Sequence, residues 1–255
     1  MMTRRPSRNA VILCYITARV QFPGSESARR KRLLQKIAEA ARAGVDYIQL
    51  REKDLPTREL ERLAHEAMDV LLATRHSPLA TRLLINSRAD VALAARAHGV
   101  HLRSDDLSPR DLRALWARAS RNQKRATRNP LIGVSCHTVE EVARAGSARA
   151  DFAVFGPVFE KEGEEIAGGL DLLRRACGQR IPVLALGGVT LENAGLCLAA
   201  GAAGIAAIRL FQYNDIAAVA QSLRGAAGGG RATESFRPRA FPRSAVRMDA
   251  LWRPR

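Results

Sequence analysis

Gln49, Arg51 and Lys53 alternate along the chain, so in extended backbone their side chains share one face. Two cations and an amide on one face suit a polyanion or a phosphorylated ring; the same set could also close a core as a salt bridge. His137 directly follows the apolar run 131–135, and an imidazole there can move protons near neutral pH. It could equally cap a helix. Gly187-Gly188-Val189-Thr190 follows a further apolar run; a glycine pair at a strand end presents backbone N–H groups to an anion, and the next helix start adds its dipole. Asn86, Ser135, Asp106 and Arg209 stand at the ends of other apolar runs.

These clusters need a scaffold that brings many strand ends together. Short β-rich apolar runs at 11–17, 45–50, 83–86, 99–102, 131–135, 151–155, 182–186 and 204–208 alternate with segments of helical spacing. The helical segments are 28–43, 57–74, 87–97, 109–119, 138–145, 170–177, 191–200 and 214–224. Strands joined by crossover helices must lie parallel, and their nearly unbroken apolar character fits strands covered on both faces. Eight such units, at 255 residues, predict one α/β domain, a (β/α)8 TIM barrel with a parallel eight-stranded sheet over 11–225. A doubly wound open sheet is the alternative. In a barrel, the polar strand ends would line the C-terminal mouth, with the glycine pair after strand 7, a frequent place for a phosphate.

Composition narrows the function classes. Of the net charge of +16, eight charges belong to two terminal segments. Arg4, Arg5 and Arg8 lie in a basic extension at 1–10, and seven arginines stand against Glu234 and Asp249 in 226–255. That last segment is rich in Gly, Arg and Pro without periodicity and is expected to be disordered. A further basic loop holds Arg118, Arg121, Lys124, Arg125 and Arg128. None of these segments interleaves aromatics or carries a helix-turn-helix or RNA-binding signature, so a nucleic-acid partner is not expected. Four scattered cysteines (14, 136, 177, 197) without Cys-x-x-Cys spacing read as buried thiols rather than disulfides or a zinc site. No apolar stretch is long enough to span a membrane, and the first apolar run is too short for a secretory leader, so the expected location is cytoplasmic. A homo-oligomer is possible.

The strand ends, in this order, resemble the thiamine phosphate synthase/TenI family. The matching stretches are Gln-Leu-Arg-Glu-Lys-Asp (49–54), Leu-Ile-Asn-Ser-Arg-Ala-Asp-Val-Ala-Leu-Ala (84–94) and Gly-Val-His-Leu-Arg-Ser-Asp-Asp-Leu (99–107). They continue with Ile-Gly-Val-Ser-Cys-His-Thr-Val-Glu-Glu (132–141), Asp-Phe-Ala-Val-Phe-Gly-Pro-Val-Phe (151–159) and Val-Leu-Ala-Leu-Gly-Gly-Val-Thr (183–190). In a synthase, the resemblance implies coupling of hydroxymethylpyrimidine diphosphate to a thiazole phosphate with release of diphosphate. Gln49, Arg51, Lys53 and Asn86 would hold the pyrimidine diphosphate, Asp106 would help bind Mg²⁺, and Gly188 would contact the thiazole phosphate. In a TenI-type tautomerase, which needs no cofactor, His137 would be the acid–base group acting on a carboxythiazole phosphate.

Three departures weigh on that choice. Ser87 stands where synthases usually carry a second Mg²⁺-binding aspartate, and a hydroxyl is a weaker ligand for a hard dication. The strand-6 segment reads Glu-Lys-Glu-Gly-Glu-Glu at 160–165 where Thr-x-Thr-Lys would embrace a diphosphate. Arg209 replaces a small residue and could grip a monophosphate in bidentate fashion. The sequence thus favours a thiazole tautomerase with a phosphorylated thiazole as partner, with Ser135, Gly187, Gly188 and Arg209 among the substrate-binding residues. The synthase, with Mg²⁺ at Asp106, is the alternative, and a non-catalytic regulatory protein using the basic tails is a third reading.

Overall fold

The computed structural model describes residues 11–74, 81–121, 129–160 and 168–226. The basic terminal segments, most of the basic loop after Arg121 and the acidic stretch 161–167 lie outside the described residues. Eight strands run in sequence order: β1 (Ile12–Ile16), β2 (Tyr47–Leu50), β3 (Arg82–Asn86), β4 (Gly99–Leu102), β5 (Leu131–Cys136), β6 (Phe152–Phe155), β7 (Val183–Ala185) and β8 (Gly204–Ala207). Each pairs in parallel with its neighbour, and β8 closes on β1 through Ile12↔Gly204 and Tyr15↔Ala207. The open-sheet alternative is excluded.

The crossovers are α1 (Glu26–Arg42), α2 (Thr57–Ala73), α3 (Ala89–Ala94), α4 (Pro109–Ala119), α5 (Val139–Ser147), α6 (Gly169–Cys177) and α7 (Ala194–Ala199). After β8 come a short α8 (Arg209–Gln212) and then α9 (Ile216–Ala226). Helix starts follow local chemistry. Ser25 and Ser108 accept from backbone N–H groups three residues on, and Pro109 sits in the first turn of α4, where its missing N–H costs nothing. Thr138 and Glu141 form a reciprocal capping box on α5. Gly44, at φ 71, ends α1 in the left-handed region and turns the chain into β2. The expected third helix is shorter than 87–97: Ser87 and Arg96 adopt positive φ of 56 and 54, which removes both ends from the helix.

Strand periodicity divides each strand between two cores. Leu13, Tyr15, Ile48, Leu50, Leu83, Ile85, Val100, Ile132, Ala153, Ala185 and Ile205 face the helices. Ile12, Cys14, Ile16, Leu84, Phe152, Val154, Leu184 and Ala206 fill the barrel interior. Tyr47 stacks on Phe152 with ring centroids 5.0 Å apart, and His101 tilts against the same ring at 5.9 Å. Gly133 makes that arrangement possible, because a Cβ there would meet Phe152 Cζ at 2.3 Å and His101 Nδ1 at 2.8 Å. The four cysteines are free thiols, and burial pushes those of Cys14, Cys136 and Cys197 up to about 12. Among the described residues no helix is long and apolar enough to cross a membrane.

Candidate active site

The same parity that sorts the interior assembles the polar mouth. Tyr47 faces inward from β2, so Gln49 and then Arg51 follow on that face. Leu84 faces inward from β3, and Asn86 is two residues on. His101 on β4 is paired in register with Asn86. Gly133 on β5 leads to Ser135 and then His137. Sequence-predicted residues from three strands thus meet at one end of the barrel together with His101 of β4, and a hydrogen-bonded row joins those of β2 and β3. Gln49 Nε2 donates to Asn86 Oδ1 at 2.8 Å, and Asn86 Nδ2 reaches Ser87 Oγ at 3.4 Å. Ser87 donates to Asp106 Oδ2 at 2.7 Å.

Two buried polar atoms in this end have no hydrogen-bond partner among the described residues: Gln49 Oε1 and His101 Nδ1. Orphaned buried acceptors are rare and call for an explanation, and for Gln49 a ligand donor at the mouth supplies one. His101 is 1% exposed, with Nε2 2.9 Å from Ser135 Oγ. Burial, reinforced by the charge of Arg51, pulls its pKa down to about 4, so its ring is neutral. An unpaired lone pair on Nδ1 costs less than an unpaired N–H, which favours Nε2–H donating to Ser135 and frees that hydroxyl's own proton for a ligand.

A second network fixes where β2 ends. Arg19 and Glu52 are buried, at 3% and 1% side-chain exposure, and their side chains meet at 3.3 Å. Arg19 also forks onto Asp54 at 2.7 and 2.8 Å. Thr17 Oγ1 donates to Glu52 at 2.6 Å and accepts from the Arg51 N–H at 3.0 Å, so the backbone carrying Arg51 and Lys53 is pinned. Burial raises the Glu52 carboxyl even though Thr17 and Arg19 oppose it. Burial lowers Lys53, and the charges of Arg51 and Arg103 lower it further; both guanidinium groups therefore lie within electrostatic reach of the Lys53 ammonium.

His137 is exposed at the mouth. Its Nδ1 lies 2.6 Å from the Gly156 carbonyl, which can only accept, so Nδ1 carries a proton and Nε2 is the ring nitrogen left to exchange one. Its backbone N–H donates to Glu141 at 2.5 Å; the N-cap role belongs to Thr138 rather than to the imidazole. Gly187 and Gly188 have φ of 96 and 60, and Cβ atoms there would meet Pro157 Cα at 2.6 Å and the Glu160 carbonyl at 2.0 Å. Their carbonyls are engaged by the Phe159 N–H at 3.1 Å and Asn193 Nδ2 at 3.0 Å. In a trans peptide the N–H points opposite the carbonyl, so the N–H groups of Gly188 and Val189 face away from those partners. Arg209 opens α8 directly after β8, the strand beside β7.

Asp106 does not fit the Mg²⁺ role that the resemblance implies. Its Oδ2 accepts from Ser87 and from the Arg103 N–H at 2.8 Å, and its Oδ1 faces the Arg103 guanidinium at 3.3 Å. Mg²⁺ demands near-octahedral oxygen ligation, and a guanidinium already occupies the place. Among the described residues no group of three or more His, Cys, Asp or Glu could hold a metal ion. The sequence places His101 and Arg103 in a polar strand end without a role for either; the inward parity of His101 opposite Asn86, carried one residue past the end of β4, was the available signal.

A family model described as "Thiamine monophosphate synthase" matches residues 20–211. A relative from Geobacter sulfurreducens named "Putative thiamine-phosphate synthase" is 40% identical over 200 residues, covering 77% of this chain and 84% of the relative. A "Thiamine-phosphate synthase" from Chlorobium luteolum is 37% identical over 206 residues, covering 79% and 85%. A solved structure named thiamine phosphate pyrophosphorylase, from Pyrococcus furiosus, superposes with a TM-score of 0.67 at 28% identity, covering 87% of this chain and 97% of that one.

Proposed function

Because the chain belongs to the thiamine monophosphate synthase family, we propose that it joins a pyrimidine diphosphate to a thiazole phosphate. The observation that carries this reading is the inward row at the barrel mouth, where the buried, unpartnered Gln49 Oε1 stands beside Asn86 and the cations Arg51 and Lys53. The amides take the aminopyrimidine edge, and the Gln49 oxygen accepts from its amine. Arg51 and Lys53 take the diphosphate. The carbon–oxygen bond to the diphosphate breaks, and the leaving group departs with the electron pair against those cations, which stabilise the charge that develops there. The thiazole nitrogen lone pair then forms the new carbon–nitrogen bond. The Gly187-Gly188 turn and Arg209 hold the thiazole phosphate, and the Ser135 hydroxyl, oriented by His101, donates to the bound substrates. This reading departs from the sequence preference for a tautomerase, because the relatives that cover most of the chain carry the synthase name.

One observation favours the tautomerase as a second reading: the Gly156 carbonyl engages Nδ1 of His137 and leaves Nε2 to exchange a proton. A single comparison separates the two. The purified protein is given both phosphorylated substrates, with Mg²⁺ and with EDTA, and thiamine phosphate is followed by its oxidation to a fluorescent product. The same protein is given the carboxythiazole phosphate tautomer. Coupling that collapses in Lys53→Ala but survives in His137→Ala supports the synthase. No coupling above buffer, with isomerisation lost in His137→Ala, overturns it in favour of the tautomerase.

A further inference from the structure

We propose that Arg103 takes the place of a divalent cation at this mouth, so that a diphosphate is held by Arg51, Lys53 and Arg103 without Mg²⁺. The inference rests on the synthase reading for its choice of ligand. Its geometry begins at Asp106, both of whose oxygens are engaged by protein donors. A dication there would have to displace the Ser87 hydroxyl and the Arg103 N–H, and it would then face a guanidinium at contact range. The carboxylate therefore serves to aim Arg103. Ser87 is held in the left-handed region at φ 56, a conformation sparsely populated by non-glycine residues, and it delivers its hydroxyl to Asp106. A continuous hydrogen-bonded row thus runs from Gln49 through Asn86, Ser87 and Asp106 to Arg103.

Arg103 stands two residues beyond the inward-facing His101 and is 57% exposed, open to a ligand entering the mouth. Its Nε and Nη2 face Asp106, while Nη1 makes no hydrogen bond among the described residues. The contact of Nε with Asp105 at 3.3 Å, a carboxylate 70% exposed, is a solvent-screened pair of small worth that a phosphate oxygen can replace. A planar guanidinium offers a diphosphate two parallel donors, which a hydrated ammonium cannot.

Titration calorimetry of the full chain with inorganic pyrophosphate, in EDTA and in excess Mg²⁺, tests this. The expected result is wild-type binding in EDTA that Mg²⁺ strengthens by no more than about threefold. Arg103→Ala should lose about tenfold or more in EDTA and recover part of it with Mg²⁺, because Asp106 is then released to bind the metal. Arg103→Lys should fall between the two. Wild-type binding that requires Mg²⁺, no binding under either condition, or an Arg103→Ala affinity equal to wild type in EDTA would overturn the inference. Arg103-dependent pyrophosphate binding in EDTA without any coupling product would leave this site standing and remove the synthase reading. Coupling seen only with Mg²⁺ would do the reverse.

Discussion

Ser87 Oγ lies 2.7 Å from Asp106 Oδ2, a hydroxyl donating where a second carboxylate would repel. Ser87→Asp should therefore cost stability on its own, since Asp tolerates a φ of 56 but sets two carboxylates side by side. It should also create a cation site. Saturating Mg²⁺ is expected to raise the melting temperature of the variant by several degrees and to leave that of the wild type unchanged. An equal rise in both proteins would refute the account of Asp106.

His101 titrates at about 4 in the folded chain and near 6.5 when unfolded. Because the folded value is depressed, the contribution is complete above pH 6.5 and is lost as pH falls from 6.5 toward 4, where only the unfolded chain takes up the proton. The loss amounts to about 3 kcal/mol at the acid end. Urea denaturation across that range should show the slope, and His101→Asn should flatten it whatever it does to stability at pH 8. An unchanged slope in the variant would mean that another group is responsible.

Gly188→Ala forces a Cβ to within 2.0 Å of the Glu160 carbonyl at a φ of 60. Both the clash and the backbone oppose it, so a loss of about 2 kcal/mol or more in denaturation midpoint is expected. Thiazole phosphate affinity should fall with it. Gly195→Ala, which meets nothing within 4 Å, is the matched control and should be neutral or slightly stabilising within α7.

Arg19→Met leaves Glu52 buried without its counter-ion, and about 3–5 kcal/mol of stability should be lost. Adding Glu52→Gln to it should recover part of that loss, because the Gln oxygen still accepts from Thr17. The two substitutions are therefore expected to be non-additive. The single Arg19→Met loss should shrink at acid pH as Glu52 takes up a proton. Strict additivity by chemical denaturation would mean that the pair is not coupled.

The barrel was legible because eight apolar runs alternating with helical spacing leave little choice of topology, and the observed strands fall within those runs except at Arg82 and Cys136. The inward row Gln49, Asn86 and Ser135 was legible as strand-end polarity. Contacts between loops were not. Ser87 was visible as a departure, yet its bond to Asp106 spans nineteen residues, and no local spacing encodes the guanidinium of Arg103 on the same carboxylate. The Arg19–Glu52 pair escaped notice for the same reason, since the segment after β1 carries no periodic signal. Helix α8, at four residues, is too short to show a period at all.

Gly133 carries a consequence for how this barrel can change over generations. A methyl group there has no room while Phe152 and His101 keep their places, so a larger residue is reachable only after Phe152 has been exchanged for something smaller. Exchanging Phe152 first opens a void against Tyr47, with a loss of about 3–5 kcal/mol for truncation to alanine. Neither single step is neutral, and position 133 is coupled to position 152 as one hereditary unit. Sequence variation at the two positions should therefore be correlated, and drift at the floor of this pocket is slowed by a ridge that point mutations must cross in order.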